Sequence, residues 1–155
     1  MPTIIIETPI AAPREVCFDL ARDVGVHCAT SEVSGERAVA PGKTSGLLEV
    51  GDQVTFEGRH LGVKQRLTAQ ITEMERPLRF VDVQIRGAFS SLKHIHEFET
   101  TSAGTLMRDT ITWRSPLGLL GCLADALVVT RHMEWFVRTK QLALKAHAEE
   151  LARAN

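Results

Sequence analysis

Leu92-Lys93-His94-Ile95-His96-Glu97-Phe98-Glu99-Thr100-Thr101-Ser102-Ala103-Gly104-Thr105-Leu106-Met107-Arg108-Asp109-Thr110-Ile111-Thr112-Trp113-Arg114-Ser115-Pro116 is the stretch that decides the fold. Side chains alternate between the two faces of a strand. Leu92, His94, His96 and Phe98 therefore share a face of one run, and Met107, Asp109, Ile111 and Trp113 share a face of the next. The short turn Ser102-Ala103-Gly104 between them predicts an antiparallel hairpin. Ser115-Pro116 then offers an N-cap residue and a proline at the first helical position. The hairpin is thus expected to pass straight into a helix.

Working backwards, the same period of two recurs. Leu78 to Ile85 places Phe80, Asp82 and Gln84 on one face, and Gly87, Ser90 and Ser91 mark the next turn. Leu67, Ala69 and Ile71 alternate with polar residues, as do Val54 and Phe56. Glu32 to Ala40 reads as a further strand, followed by the polar loop Pro41 to Gly46, which is expected to be flexible. Thr3 to Thr8 is a β-branched first strand; Pro13 opens a short helix to Arg22, and Val24 to Thr30 fits a second.

Working forwards, helical periodicity runs to about Arg153. Leu120, Leu123, Leu127, Met133, Val137, Leu144, Ala148 and Leu151 form one apolar stripe, with Arg138, Lys140 and Lys145 among the residues assigned to the polar side. The element order is one strand, two short helices, about six strands and a long helix. The economical packing is an α+β helix-grip fold: a curved seven-stranded antiparallel sheet around the long C-terminal helix, with the short helices plugging one end. Residues 1–155 form a single domain in this reading. One helix does not fill a curved sheet, so an internal cavity is expected.

The composition narrows the function. A net charge of -1 supplies no field to gather phosphates, so nucleic acid is excluded as a partner. The low-charge run Ser115 to Thr130 is short and broken by Asp125, which argues against integral membrane association. The N-terminus lacks the basic and apolar regions of a signal peptide. Three cysteines, Cys17, Cys28 and Cys122, have no C-x-x-C pairing and read as reduced, mostly buried thiols of a cytoplasmic protein. Gly42-Lys43-Thr44 is not a phosphate loop, since Arg37 stands where the first glycine belongs.

Segments along nearly the whole chain resemble one superfamily. They are Glu7-Thr8-Pro9-Ile10, Thr44 to Phe56, Pro77 to Gln84, His94 to Glu99, Asp109 to Trp113 and Ser115-Pro116-Leu117-Gly118. In these the chain is similar to START/Bet v 1-like proteins (SRPBCC, or helix-grip), most of all bacterial polyketide cyclase/lipid transport-type members. The resemblance implies a ligand cavity but carries over no catalytic residue. Members that present tyrosine hydroxyls to their ligands have no counterpart, because the chain contains no tyrosine.

The candidate ligand-binding residues are Phe56, Phe80, Asp82, Gln84, His94, His96, Phe98, Met107, Asp109, Ile111, Trp113, Leu127, Met133 and Val137. Turns centred near Phe89 and between Ser102 and Ala103 predict two cross-strand rows: Asp82, His96, Asp109 and Gln84, His94, Ile111. A slip of two would break these pairs but keep the faces. The polar row reads as a hydrogen-bonded network, as an anchor for a ligand headgroup, or as an acid–base site with His96, Asp109 and Asp82 as catalytic candidates. His94 and His96 could chelate, with Asp82 or Asp109 completing a site, but an H-x-H pattern is common by chance; no metal and no cofactor is assigned. His60, Arg59 and Lys64 read as solvated, and Arg131 and His132 as surface residues. The favoured function is binding of a hydrophobic or amphipathic small molecule (lipid, polyketide-like or aromatic), by a monomer or homodimer. The alternatives are a cyclase/dehydratase with a His–Asp pair, and a regulatory or partner-binding protein with a vestigial cavity.

Overall fold

The computed structural model describes residues 1–155. The strands are β1 (Thr3–Ile10), β2 (Arg37–Val39), β3 (Gln53–His60), β4 (Val63–Glu75), β5 (Arg79–Arg86), β6 (Ser91–Thr101) and β7 (Gly104–Arg114). They form one antiparallel sheet in the order β1-β7-β6-β5-β4-β3-β2. On β1, Ile4, Ile6, Thr8 and Ile10 are buried while the residues between them face solvent, and β7 alternates in the same way. That alternation defines a concave inner face and a solvated outer one.

Helices α1 (Arg14–Ala21) and α2 (Val24–Ala29) come after β1. Phe18 of α1 is buried edge-on against Phe80 and Phe98, both rings 5.5 Å away. This contact closes one end of the curled sheet. The segment predicted as a strand from Glu32 is a turn up to Gly35, and only Arg37–Val39 pairs with β3. The loop after it is pinned, contrary to expectation. The Lys43 amide donates to the Gln53 carbonyl at 2.7 Å. Gly42 has φ +103°, and any Cβ there would sit 2.5 Å from that carbonyl oxygen, so glycine is required.

The C-terminal helix is 36 residues long. It consists of α3 (Leu119–Ala124), a π-helical turn (Asp125–Val129) and α4 (Thr130–Ala154). It begins three residues later than Pro116, with Gly118 as N-cap at φ +54°. Ser115 Oγ is used elsewhere: it donates to Asp125 Oδ1 at 2.6 Å, beside Trp113 Nε1 at 2.9 Å. Asp125 is thus a buried acceptor. The predicted single stripe is also broken here. Met133 and Val137 lie beside or within the core, and Leu144 and Ala148 are buried, but Leu120, Leu123 and Leu127 are exposed. A π turn adds a residue and rotates the helix on its N-terminal side relative to the helix on its C-terminal side. Positions that share a face in an unbroken helix therefore do not share one across Asp125–Val129. No helix is long and apolar enough to cross a membrane.

Candidate functional site

Between the sheet and α4 lies a chamber of about 150 Å³, lined by 25 residues of which 16 are hydrophobic. Phe56, Phe80, Met107, Ile111 and Val137 belong to that lining. A second hollow of about 310 Å³, bounded by Leu61, Phe89, Leu117 and Leu120, shares Phe56, Leu67, Leu92, Met133, Phe136 and Glu36 with it. The two adjoin along these residues, the first as an inner chamber and the second as a vestibule beside it.

The polar side of the chamber is built on β5, β6 and β7. His94 and His96 are two apart on β6, so both rings point inward and lie side by side, centroids 3.7 Å apart. Phe80 stacks on the free face of His96 at 4.1 Å. Carboxylates bracket the pair. Asp82 Oδ2 is 3.0 Å from His96 Nε2 and 4.0 Å from His94 Nδ1; Asp109 Oδ1 is 2.9 Å from His96 Nδ1 and 3.4 Å from His94 Nε2. Asp109 Oδ1 forms no hydrogen bond with either ring, so those close distances are ion-pair contacts. Its other oxygen accepts from Gln141 Nε2 at 2.8 Å, and Gln141 Oε1 accepts from Thr8 Oγ1 at 2.5 Å.

Charge follows from this arrangement. Burial opposes a charged His96, but Asp109 and Asp82 outweigh it and push its pKa up to about 9. Burial pushes His94 down, and the charge on His96 adds to that, so it stays neutral. Burial would raise the carboxyl of Asp109, yet the two imidazoles hold it well below the usual carboxylate range.

A second polar cluster faces the first. Burial, then the Lys140 ammonium, lowers His27 to about 4. The neutral ring donates from Nε2 to Glu36 Oε2 at 2.8 Å and accepts at Nδ1 from Lys140 Nζ at 2.9 Å, stacked 3.7 Å from Phe56. Glu36 Oε1 also accepts from His60 Nε2 at 3.0 Å, and His60 Nδ1 lies 3.1 Å from His132 Nε2. Burial opposes the charge on Glu36, but its hydrogen bonds to both rings overcome that and keep it ionised.

The structure brings most of the predicted residues together. The β6–β7 register pairs His96 with Asp109 and His94 with Ile111, as predicted. The β5–β6 register is slipped by two, so Asp82 faces His94 and Phe80 faces His96. Faces are preserved, and Asp82 still reaches His96 diagonally. Gln84 lies in the vestibule wall and donates to the Phe89 carbonyl at 2.7 Å. Phe98 and Trp113 are buried in core clusters and do not line the chamber. Leu127 is 61% exposed and lies outside both hollows. His60 and His132, read as solvated or superficial, border the vestibule, and Cys122 is an exposed thiol. His27, Glu36, Lys140 and Gln141 were missed. Lys140 lies on the side the helical period marked as polar, and only its place opposite the curled sheet turns it into the chamber lining.

No protein-family model matches the sequence, and no curated protein matches it. Solved structures do. The chain is similar to TTHA0849 from Thermus thermophilus, with 20% identity over 97% of this chain and 99% of that one (TM-score 0.79). It is similar to major latex-like protein 151 from Panax ginseng, with 13% identity over 95% and 97% (TM-score 0.72). It is also similar to Ara h 8.0201, with 12% identity over 99% of both chains (TM-score 0.61). At such identities the likeness carries the fold alone. With its seven curled strands, its paired short helices and its terminal helix in the same arrangement, the chain has the Bet v 1-like, helix-grip fold.

Proposed function

We propose that the protein binds an apolar or amphipathic small molecule between the sheet and α4. The observation that carries this reading is the mostly hydrophobic inner chamber adjoining the vestibule. A dry cavity of about 150 Å³ holds no more than a small aromatic ring. The two hollows together reach the roughly 300–1,000 Å³ typical of ligand sites. A lipid, polyketide-like or larger aromatic molecule therefore occupies both. Its oxygen-bearing end faces Asp82, His96 and Lys140, where donors and acceptors sit side by side, and its apolar body runs past Met133 to the mouth. Purified protein should release such a molecule into organic solvent, detected by denaturing mass spectrometry. No extracted ligand, together with no thermal shift across a broad lipid and aromatic library, defeats the proposal.

A second reading rests on one specific observation: His94 and His96 lie side by side, centroids 3.7 Å apart, between two carboxylates that raise His96 while burial lowers His94, which sets an acid next to a base. It makes the protein a cyclase or dehydratase acting on a poly-β-keto substrate. His96→Ala should then abolish turnover while the melting temperature holds. A large loss of stability instead assigns the pair to structure. The vestigial-cavity reading has no support from a chamber of this volume.

A further inference from the structure

Three buried polar atoms converge on the inner chamber without a hydrogen bond: His94 Nε2, His96 Nδ1 and Asp109 Oδ1. The carboxylate oxygen is 2.9 and 3.4 Å from the two nitrogens. Donor atoms about 2 Å from one tetrahedral ion stand roughly 3.3 Å apart, and the two distances from Asp109 Oδ1 bracket that separation. Asp82 approaches the other nitrogen of each ring, and Asp82, His94 and His96 bring one donor atom each within 4.8 Å of one another.

The far sides of the same groups are already held. Asp82 Oδ2 accepts from His96 Nε2 at 3.0 Å, so Nδ1 is the nitrogen that gives up its proton when an ion binds. Gln141 occupies Asp109 Oδ2 and is itself fixed by Thr8. A carboxylate behind a histidine and an amide behind a carboxylate are the outer partners that orient metal ligands. Charge points the same way. In the chamber's polar lining Asp82, Asp109 and Glu36 face Lys140 and the charged His96, which leaves a surplus of about one negative charge in a buried space. Exchanging the His96 proton for a divalent cation neutralises it.

We propose that His94, His96 and Asp109 form a binding site for a divalent first-row transition ion such as Zn²⁺, with Asp82 and Gln141 as positioning residues and an open coordination position facing the chamber. The site needs no organic ligand, so it stands or falls separately from the ligand-binding reading. The test is a titration of chelator-stripped protein with Zn²⁺ by calorimetry and with Co²⁺ by visible absorption. One ion per chain is expected, with a Co²⁺ spectrum showing imidazole ligation. Asp109→Asn, which keeps the shape, should weaken binding by more than about 100-fold. Asp82→Asn should weaken it about 10- to 100-fold, as outer partners do. The His60→Ala/His132→Ala double variant should bind as the parent does, with circular dichroism confirming that each variant is folded. Three outcomes overturn the proposal: no saturable binding to the folded parent, undiminished binding to folded Asp109→Asn, or loss of binding in the double variant, which would place the ion at the outer histidine pair.

Discussion

Gln141 is 1% exposed and connects Thr8 on β1 to Asp109 on β7 through one amide. Gln141→Leu keeps the volume but leaves the Asp109 carboxylate and the Thr8 hydroxyl without their partner. Leaving such groups unpaired costs about 2–3 kcal/mol, which a urea titration of the variant should show as a lower midpoint with an unchanged slope. His27 makes a pH prediction. Its pKa falls to about 4 in the folded chain, from an ordinary value near 6.5. As pH drops the unfolded chain takes up this proton first, so the stability is complete above pH 6.5 and is lost between there and about 4. The loss reaches up to about 3 kcal/mol, and His94, lowered by its own burial, adds to it. Urea midpoints measured at pH 7 and pH 5 should differ, and His27→Gln should narrow the difference. At this scale the sequence was legible where period two governs. Asp82, His94, His96 and Asp109 share a face because alternation along a strand leaves no choice. Glu36, His27, Lys140 and Gln141 lie on short or helical segments, where burial depends on what packs opposite.

The elements show the same division. Ser102-Ala103-Gly104 fixes the β6–β7 register because so short a connection admits one pairing. The longer connection around Ala88 and Phe89 does not, and there the register slips by two. The site survives because an even slip keeps every side chain on its face. The C-terminal helix was legible in extent but not in phase, since the π turn at Asp125–Val129 leaves no periodic signature. Its consequence can be measured. Leu127→Gln should change stability by no more than about 0.5 kcal/mol, whereas Leu144→Ala, which empties a core position, should cost about 2–5 kcal/mol. Equal losses would place Leu127 in the core. Trp113→Phe removes the indole donor to Asp125, and Ser115 remains as the other donor. A loss of about 1–2 kcal/mol is expected from thermal unfolding, since a buried carboxylate keeps only half of its partners.

For the molecule as a whole, a sheet that twists around one helix buries its concave face against a cylinder too narrow to fill it. The apolar side chains of β3 to β7 and α4 therefore line a chamber, and the polar residues that alternation sends inward collect on one wall of it. This much came from strand count, turn spacing and the long terminal period. The chamber's volume did not, because it depends on the depth to which Phe80 reaches in and on how far Gln141 holds α4 from the sheet. In the proposed function an amphipathic molecule lies in this chamber with its polar end at Asp82, His96 and Lys140. The most direct measurement is a crystal structure of protein purified without added ligand. Continuous electron density is expected from between His96 and Lys140 past Met133 towards Leu117. Side chains collapsed to fill the chamber, or density for water molecules alone, would contradict the proposed function.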